Sequence, residues 1–290
     1  MRKAFITTVF LLVVSTLGAP AQTAAGYTFA TISYPGALVT HVTGINNRGD
    51  LVGSFRLPSE GTGVTLHGFT FLHGVFSAVD VPGAQFTRCI AVDDRGEVGG
   101  FFGDSIGTHS FTLIKGHLAV FDFPGTTSTF VQGMNNRGDI VGLYVDASQV
   151  FHGFLRSDDN FTTIDVPNAV ATVAGDINAR GDIVGNYDDT AGHTHAFLLS
   201  GHIFTTIDVS AESTLSVAES INERGSIAGV FADPSSNDHV FLFLHGRFGF
   251  VNPPNAISTP VIRNNDRGDL AGWFTSSTGD QSFVAMRTDE

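Results

Sequence analysis

The sequence predicts an all-β fold, a six-bladed β-propeller of four-stranded blades in which the N-terminal strand completes the last blade. Three observations carry this reading. A nine-residue string recurs six times, each period holds four short strand candidates, and the two ends of the chain complement each other.

The string is Ile45-Asn46-Asn47-Arg48-Gly49-Asp50-Leu51-Val52-Gly53, and its counterparts begin at Val92, Met134, Ile177, Ile221 and Asn264. Its arginine falls at Arg48, Arg95, Arg137, Arg180, Arg224 and Arg267, so the period is 42 to 47 residues. Regular periods of this size mark solenoids, propellers and other arrays. In the first period the strand candidates are 39–46, 50–55, 67–72 and 76–81. The Asn-x-Arg-Gly between the first two is a tight hairpin turn, with Asn initiating it and Gly supplying the positive φ. Four strands per period match a propeller blade, and no stretch shows the 3.6-residue apolar spacing of a helical repeat.

The segment from Tyr27 to Gly36 reads as a fourth strand with no blade before it, in the manner of Phe161-Thr162-Thr163-Ile164-Asp165. The last period stops after its third strand at 283–287. Pairing the two ends would close the ring and remove the exposed edges of an open array.

Composition narrows the function classes. The chain of 290 residues holds 34 Gly and 26 Phe, only 15% charged residues, and a net charge of −13. An acidic chain without clustered Lys and Arg is a poor nucleic-acid partner. Residues 1–21 read as a signal peptide: Arg2 and Lys3, an apolar run over 4–17, then Ala19-Pro20-Ala21. Cleavage is expected after Ala21, with Ala25 as the alternative, leaving 22–290 as one exported domain, secreted or periplasmic. No later stretch approaches the ~20 apolar residues of a membrane span. Cys89 has no partner for a disulfide and is expected to be buried. The domain is expected to be a monomer and to need no cofactor.

The repeated Ile-Asn-x-Arg-Gly-Asp-Ile-Val-Gly, followed by His195-Ala196-Phe197 and the variants at His67, His109, His152 and His239, resembles the extracellular HAF repeat of bacterial exported proteins. Gln281-Ser282-Phe283 departs from that triplet. The resemblance implies an exported repeat protein and no particular activity.

In such a ring the first strand of each period is innermost. The Asn-x-Arg-Gly turns then share one face, the bottom. The second-to-third-strand loops share the top: 56–66, 103–108, 145–150, 188–194, 232–238 and 275–280. Uniform turns below and diverse loops above place ligand recognition on the top face, with Asp104, Asp146, Asp188, Asp189 and Asp238 as candidate binding residues. The five repeated histidines sit on separate blades, too far apart for a common ion, and are expected to bond nearby carbonyls or carboxylates. No metal site is assigned; the one local set suited to an ion is His193 and His195 with Asp188 and Asp189. Gly103-Asp104-Ser105-Ile106-Gly107 matches the hydrolase Gly-x-Ser-x-Gly without the strand-to-helix elbow that motif needs. The repeated Arg-Gly-Asp is explained by the turn.

No catalytic residue is assigned either. Among acids on the inner strands only Asp176 and Glu219 qualify, with Arg263 as their candidate cationic partner, and strand alternation points Asp176 and Arg263 into the channel and Glu219 away from it. The leading functional expectation is a non-catalytic binding module for a glycan or protein. The alternatives are a polysaccharide hydrolase or lyase working at the channel mouth, and a structural surface or matrix component.

Overall fold

The computed structural model describes residues 5–8, 22–24, 26–58, 66–210, 213–233, 235 and 237–288. Six antiparallel sheets follow one another along the chain, and no α-helix occurs among the described residues. Blade 1 consists of Val39–Ile45, Leu51–Arg56, His67–Leu72 and Val75–Asp80, within a residue or so of the expected spans. The inner strands of blades 2 to 6 are Phe86–Val92, Thr129–Met134, Ala171–Ile177, Ser216–Ile221 and Ser258–Asn264.

In blade 6 the third strand, Gly279–Arg287, pairs antiparallel with Tyr27–Ile32, from Arg287 opposite Tyr27 to Ser282 opposite Ile32. Gln22–Ala24 extends that sheet by a further strand, and Phe5–Thr8 lies against Val75–Asp80 of blade 1. The remainder of the expected signal segment, with both candidate cleavage residues, lies outside the described residues.

Two repeated residues explain the blade packing. The phenylalanines Phe69, Phe111, Phe154, Phe197, Phe241 and Phe283 are 0–2% exposed and form the centre of each blade's core. Burying each contributes roughly 1.5–3 kcal/mol. In blades 1 to 5 the ring needs the second-strand glycine beside it to have no side chain. A Cβ on Gly142 would sit 1.9 Å from the Phe130 carbonyl oxygen and 2.9 Å from the Phe154 ring. The Gly and Phe surpluses are two sides of this one contact.

The bottom turns hold the blades to each other. In blade 1 the Asn46 carboxamide oxygen accepts the backbone N–H groups of Arg48 and Asp50, each at 2.9 Å. Its Nδ2 donates to Asp50 and, across the blade boundary, to the Asp93 carbonyl at 2.8 Å. Asn135, Asn178, Asn222 and Asn265 repeat the reach to the next hairpin, the last arriving at the Asn46 carbonyl. Asp93 stands at this position in blade 2 and has no such donor; that boundary keeps the bridge between the next residues, Asp94 and Asn136, which Asn47–Asp94 and Glu223–Asp266 also make. Arg48, Arg95, Arg137, Arg180 and Arg267 each bond a carboxylate of their own hairpin, and Arg267 also reaches the Asn47 carbonyl at 2.8 Å.

A β-bulge interrupts five inner strands at the same repeat position, adding Thr43, Ile90, Gln132, Gly175 and Glu219 to the strand. A bulge re-aims the residues around it. This geometry decides what lines the channel.

Replacing Asn46 by Ala strips an acceptor from two turn N–H groups, one of them on buried Asp50, and should cost about 2–3 kcal/mol. The melting temperature should then fall by about 5–10 °C, while Thr214→Ala on the exposed top face should shift it by less than about 2 °C. Equal, small shifts in both variants would show that the hairpin ring does not bind the blades together.

Candidate ligand-binding face and central channel

The central channel is blocked by one side chain. Arg263 leaves the inner strand of blade 6 and donates from Nε to the Thr43 carbonyl of blade 1 at 2.9 Å, and from Nη2 to the Gln132 carbonyl of blade 3 at 3.3 Å. Its Nη1 stands 3.5 Å from Glu219 Oε2 and makes no hydrogen bond among the described residues. Asp176 accepts the N–H groups of Ile177 and Ile221 and the Ser220 hydroxyl.

Sequence alternation placed Glu219 on the far side of its strand, and the structure corrects this. Glu219 is the extra residue of the bulge, so the period-two rule fails at that point and its carboxylate meets Arg263. The ion pair across the channel is therefore Arg263 with Glu219; Asp176 feels the Arg263 charge at longer range. Burial pushes the carboxyls of Asp176 and Glu219 up, and the Arg263 charge offsets this only in part. The cavity beside them measures about 80 Å³ and is lined by Asp94, Asn136, Glu223, Asn265 and Asp266. That volume suits a few waters, against the 300–1,000 Å³ typical of small-molecule sites.

On the top face, each histidine that opens a third strand is held by acids. His67, His109, His152 and His195 place Nδ1 within 2.7–2.9 Å of Asp80, Asp122, Asp165 and Asp208. His239 uses Asn252 in the same place. The opposite ring nitrogen faces a loop acid: Asp104 at 3.4 Å, Asp146 at 3.5 Å, Asp189 at 3.3 Å and Asp233 at 3.1 Å. These loop acids also accept backbone N–H groups of their own turns, which fixes the loops. The Oδ1 atoms of Asp104, Asp146 and Asp189 are therefore committed to loop structure.

Two of the expected top-face acids lie apart from this set. Asp188 accepts the Thr194 hydroxyl at 2.8 Å and does not join His193 and His195, whereas Asp189 does. Asp238 accepts the Ser258 hydroxyl, and the true counterpart of Asp189 in blade 5 is Asp233. Sequence reasoning missed Asp233, although it stands nine residues after the repeat arginine Arg224, as Asp189 does after Arg180. Cys89 is fully buried, and burial raises its thiol pKa beyond the reactive range.

Blade 6 breaks the top-face pattern. Gln281 replaces the histidine and Ser33 stands where other blades carry the acid. A pocket of about 190 Å³ opens there. Its floor is Phe29, Phe274 and Phe283, and its rim carries Asn255, Ser276, Thr278 and Gln281. The Gln281 amide donates to the Ser276 and Thr278 hydroxyls at 3.3 and 3.0 Å, which orients the rim. Near the channel mouth Leu38, Val170 and Ile257, all at one repeat position, are 53–63% exposed.

The titrating groups set a pH optimum for stability. Partial burial alone would lower His109, His152 and His195, but their paired aspartates outweigh it and raise them above the ordinary histidine value. Their stabilisation is complete below about pH 6.5 and is lost as pH rises through the folded values. The turn N–H groups of Ile106, Val150 and His193 and the Asn237 amide hold Asp104, Asp146, Asp189 and Asp233 low, Asp189 at about 2. Their contribution is lost only as pH falls through those low values. Asp176 and Glu219, raised by burial, cost stability as pH climbs above about 4. His41, lowered by burial beside Trp273, acts only below about pH 6.5, in the opposite sense to the other histidines. The melting temperature should therefore peak between about pH 4.5 and 6.5 and decline towards pH 8.5. His152→Gln should flatten the alkaline decline. A melting temperature that climbs from pH 6.5 to 8.5 would contradict this assignment.

No family model matches the chain, and no curated protein matches its sequence. Solved structures do. The β-propeller domain of the Trilobed protease from Pyrococcus furiosus aligns with a TM-score of 0.59 at 10% identity, over 99% of this chain and 97% of that one. TolB from Acinetobacter baumannii gives 0.60 at 10% identity, covering 82% and 65%. The SapL1 lectin in complex with alpha methyl fucoside gives 0.57 at 12% identity, covering 89% and 95%. Identities this low establish the fold alone, and propellers of this kind are compatible with binding and with catalysis. By fold the chain is a six-bladed β-propeller.

Proposed function

We propose that the protein is an exported, monomeric binding module of the HAF-repeat type that takes a glycan on its top face at the blade 6 pocket. The observation that carries this reading is the pocket itself: two hydroxyls and two carboxamides gathered above three phenylalanines that are 2–7% exposed. Hydroxyl-rich ligands with one apolar ring face match that chemistry, and about 190 Å³ suits a single sugar unit rather than a drug-sized molecule. The SapL1 lectin, a propeller of the same architecture, was solved with a fucoside, which lends support from fold analogy only.

The channel supports catalysis poorly. Asp176 is spent on three donors, Glu219 faces Arg263, and the adjoining cavity is too small for a sugar ring. A second reading, a protein partner, rests on Leu38, Val170 and Ile257, which form an exposed aliphatic set around the mouth.

Calorimetry with a monosaccharide panel, guided by a glycan array, tests the proposal. Wild-type protein should bind at least one sugar. Gln281→His restores the residue of the other blades and removes the carboxamide whose hydrogen bonds to Ser276 and Thr278 orient the rim. It should weaken binding at least tenfold with little change in melting temperature. Val170→Asp with Ile257→Asp should leave sugar binding intact. An absence of binding to every glycan, or undiminished binding in Gln281→His, would overturn the glycan reading. Sugar binding lost only in the Val170/Ile257 variant would move the site to the channel mouth.

A further inference from the structure

Blade 4 departs from its sisters in a second way, independent of the blade 6 pocket. The loop acid and third-strand histidine are shared by blades 2, 3, 4 and 5, so Asp189 and His195 belong to the scaffold. The residue two before the histidine is Gly107, Val150 and Asn237 in blades 2, 3 and 5, but His193 in blade 4. In all four blades the backbone at that position serves the turn, its N–H given to the loop acid's carboxylate and its C=O accepting the loop acid's own N–H, and only in blade 5 does a side chain there, Asn237, join the turn by bonding Asp233. The His193 imidazole is surplus to it and stands 47% exposed.

Ligand atoms converge around that surplus ring. Asp189 Oδ1 is occupied by the N–H groups of Ala191 and His193, at 2.8 and 2.9 Å, which leaves Oδ2 directed at both histidines. Oδ2 lies 3.3 Å from His195 Nε2 and 3.5 Å from His193 Nδ1, and all three ligand atoms lie within 4.8 Å of one another. A tetrahedral zinc with ligands at ~2.0–2.2 Å has ligand–ligand edges of about 3.4 Å. Asp208, 2.7 Å from His195 Nδ1, fixes that ring's tautomer with Nε2 free to coordinate.

We propose that Asp189, His193 and His195 form a binding site for a divalent transition metal, zinc by preference, with Asp208 as its outer-shell support. Two imidazoles and one carboxylate favour zinc over calcium or magnesium, which take all-oxygen sets. Three protein ligands leave a fourth position for water or for an electron-donating group of a ligand bound on the top face.

Zinc titration of the purified, metal-stripped protein by calorimetry at pH 7.5, with elemental analysis after dialysis, tests the site. Wild-type protein should bind one zinc per chain. His193→Ala should weaken this by at least tenfold without lowering the melting temperature of the metal-free form, because the scaffold does not use that ring. Asp208→Asn should weaken it about 10–100-fold. Asn237→His places an imidazole beside Asp233 and His239 in the blade 5 hairpin and should add a second, weaker site, because Asn252 stands there in place of Asp208. No zinc uptake, or uptake unchanged in His193→Ala, would overturn the proposal. Sugar binding that survives or fails has no bearing on this result, because the two sites lie on different blades.

Discussion

Everything else in this molecule depends on one repeated contact, the asparagine side chain that reaches from five of the six bottom hairpins to the carbonyl of the next. A blade alone cannot bury both faces of its sheet, so the ring must hold each blade against two neighbours. The asparagine does two things at once. Its oxygen closes its own turn, and its amide fixes the distance and rotation of the neighbouring one. Buried polar groups of this kind are safe only when every partner is present. In blade 2, where Asp93 removes the donor, the link rests on Asp94 and Asn136, members of a second set of bridges that also joins Asn47 to Asp94, Ala179 to Glu223 and Asp266 to Asn47. Selection for this ring accounts for the uniform bottom face, and its donors and acceptors are already committed to one another.

The top face carries the opposite logic. The third-strand histidines pair with acids of their own blades, so one blade can lose or gain such a residue without breaking the ring, while His41 and Asp280 join blade 1 to blade 6. Blade 6 has lost its histidine and gained a pocket. Blade 4 has kept the pair and gained a second imidazole. Both departures are tolerated because neither residue links one blade to the next.

The architecture was legible because six copies of one string overdetermine it: the turn, the second-strand glycine and the third-strand phenylalanine recur in phase. The channel was only half legible. Asp176, Glu219 and Arg263 were correctly picked out as its charged residues, but counting alternate residues assumes an unbroken strand, and the bulge at Glu219 is invisible to that count. Asp233 was hidden for a simpler reason. It is read only by holding a fixed offset from Arg224, whereas its neighbour Asp238 lies next to the histidine in sequence and looks the better candidate. The departure of Gln281 from the His-x-Phe triplet was visible in the sequence, but only the structure shows the pocket that opens beside it.

The central claim is that the bottom and channel are scaffold and that recognition belongs to the top of blade 6. Amide chemical-shift mapping during titration with the best-bound monosaccharide tests it most directly. The shifts should cluster at Phe29 to Thr31, Asn255 and Ser276 to Gln281, leaving Asp176, Arg263 and the bottom hairpins unmoved. Shifts centred on Arg263, Asp176 and Asn264, with the blade 6 rim silent, would contradict it.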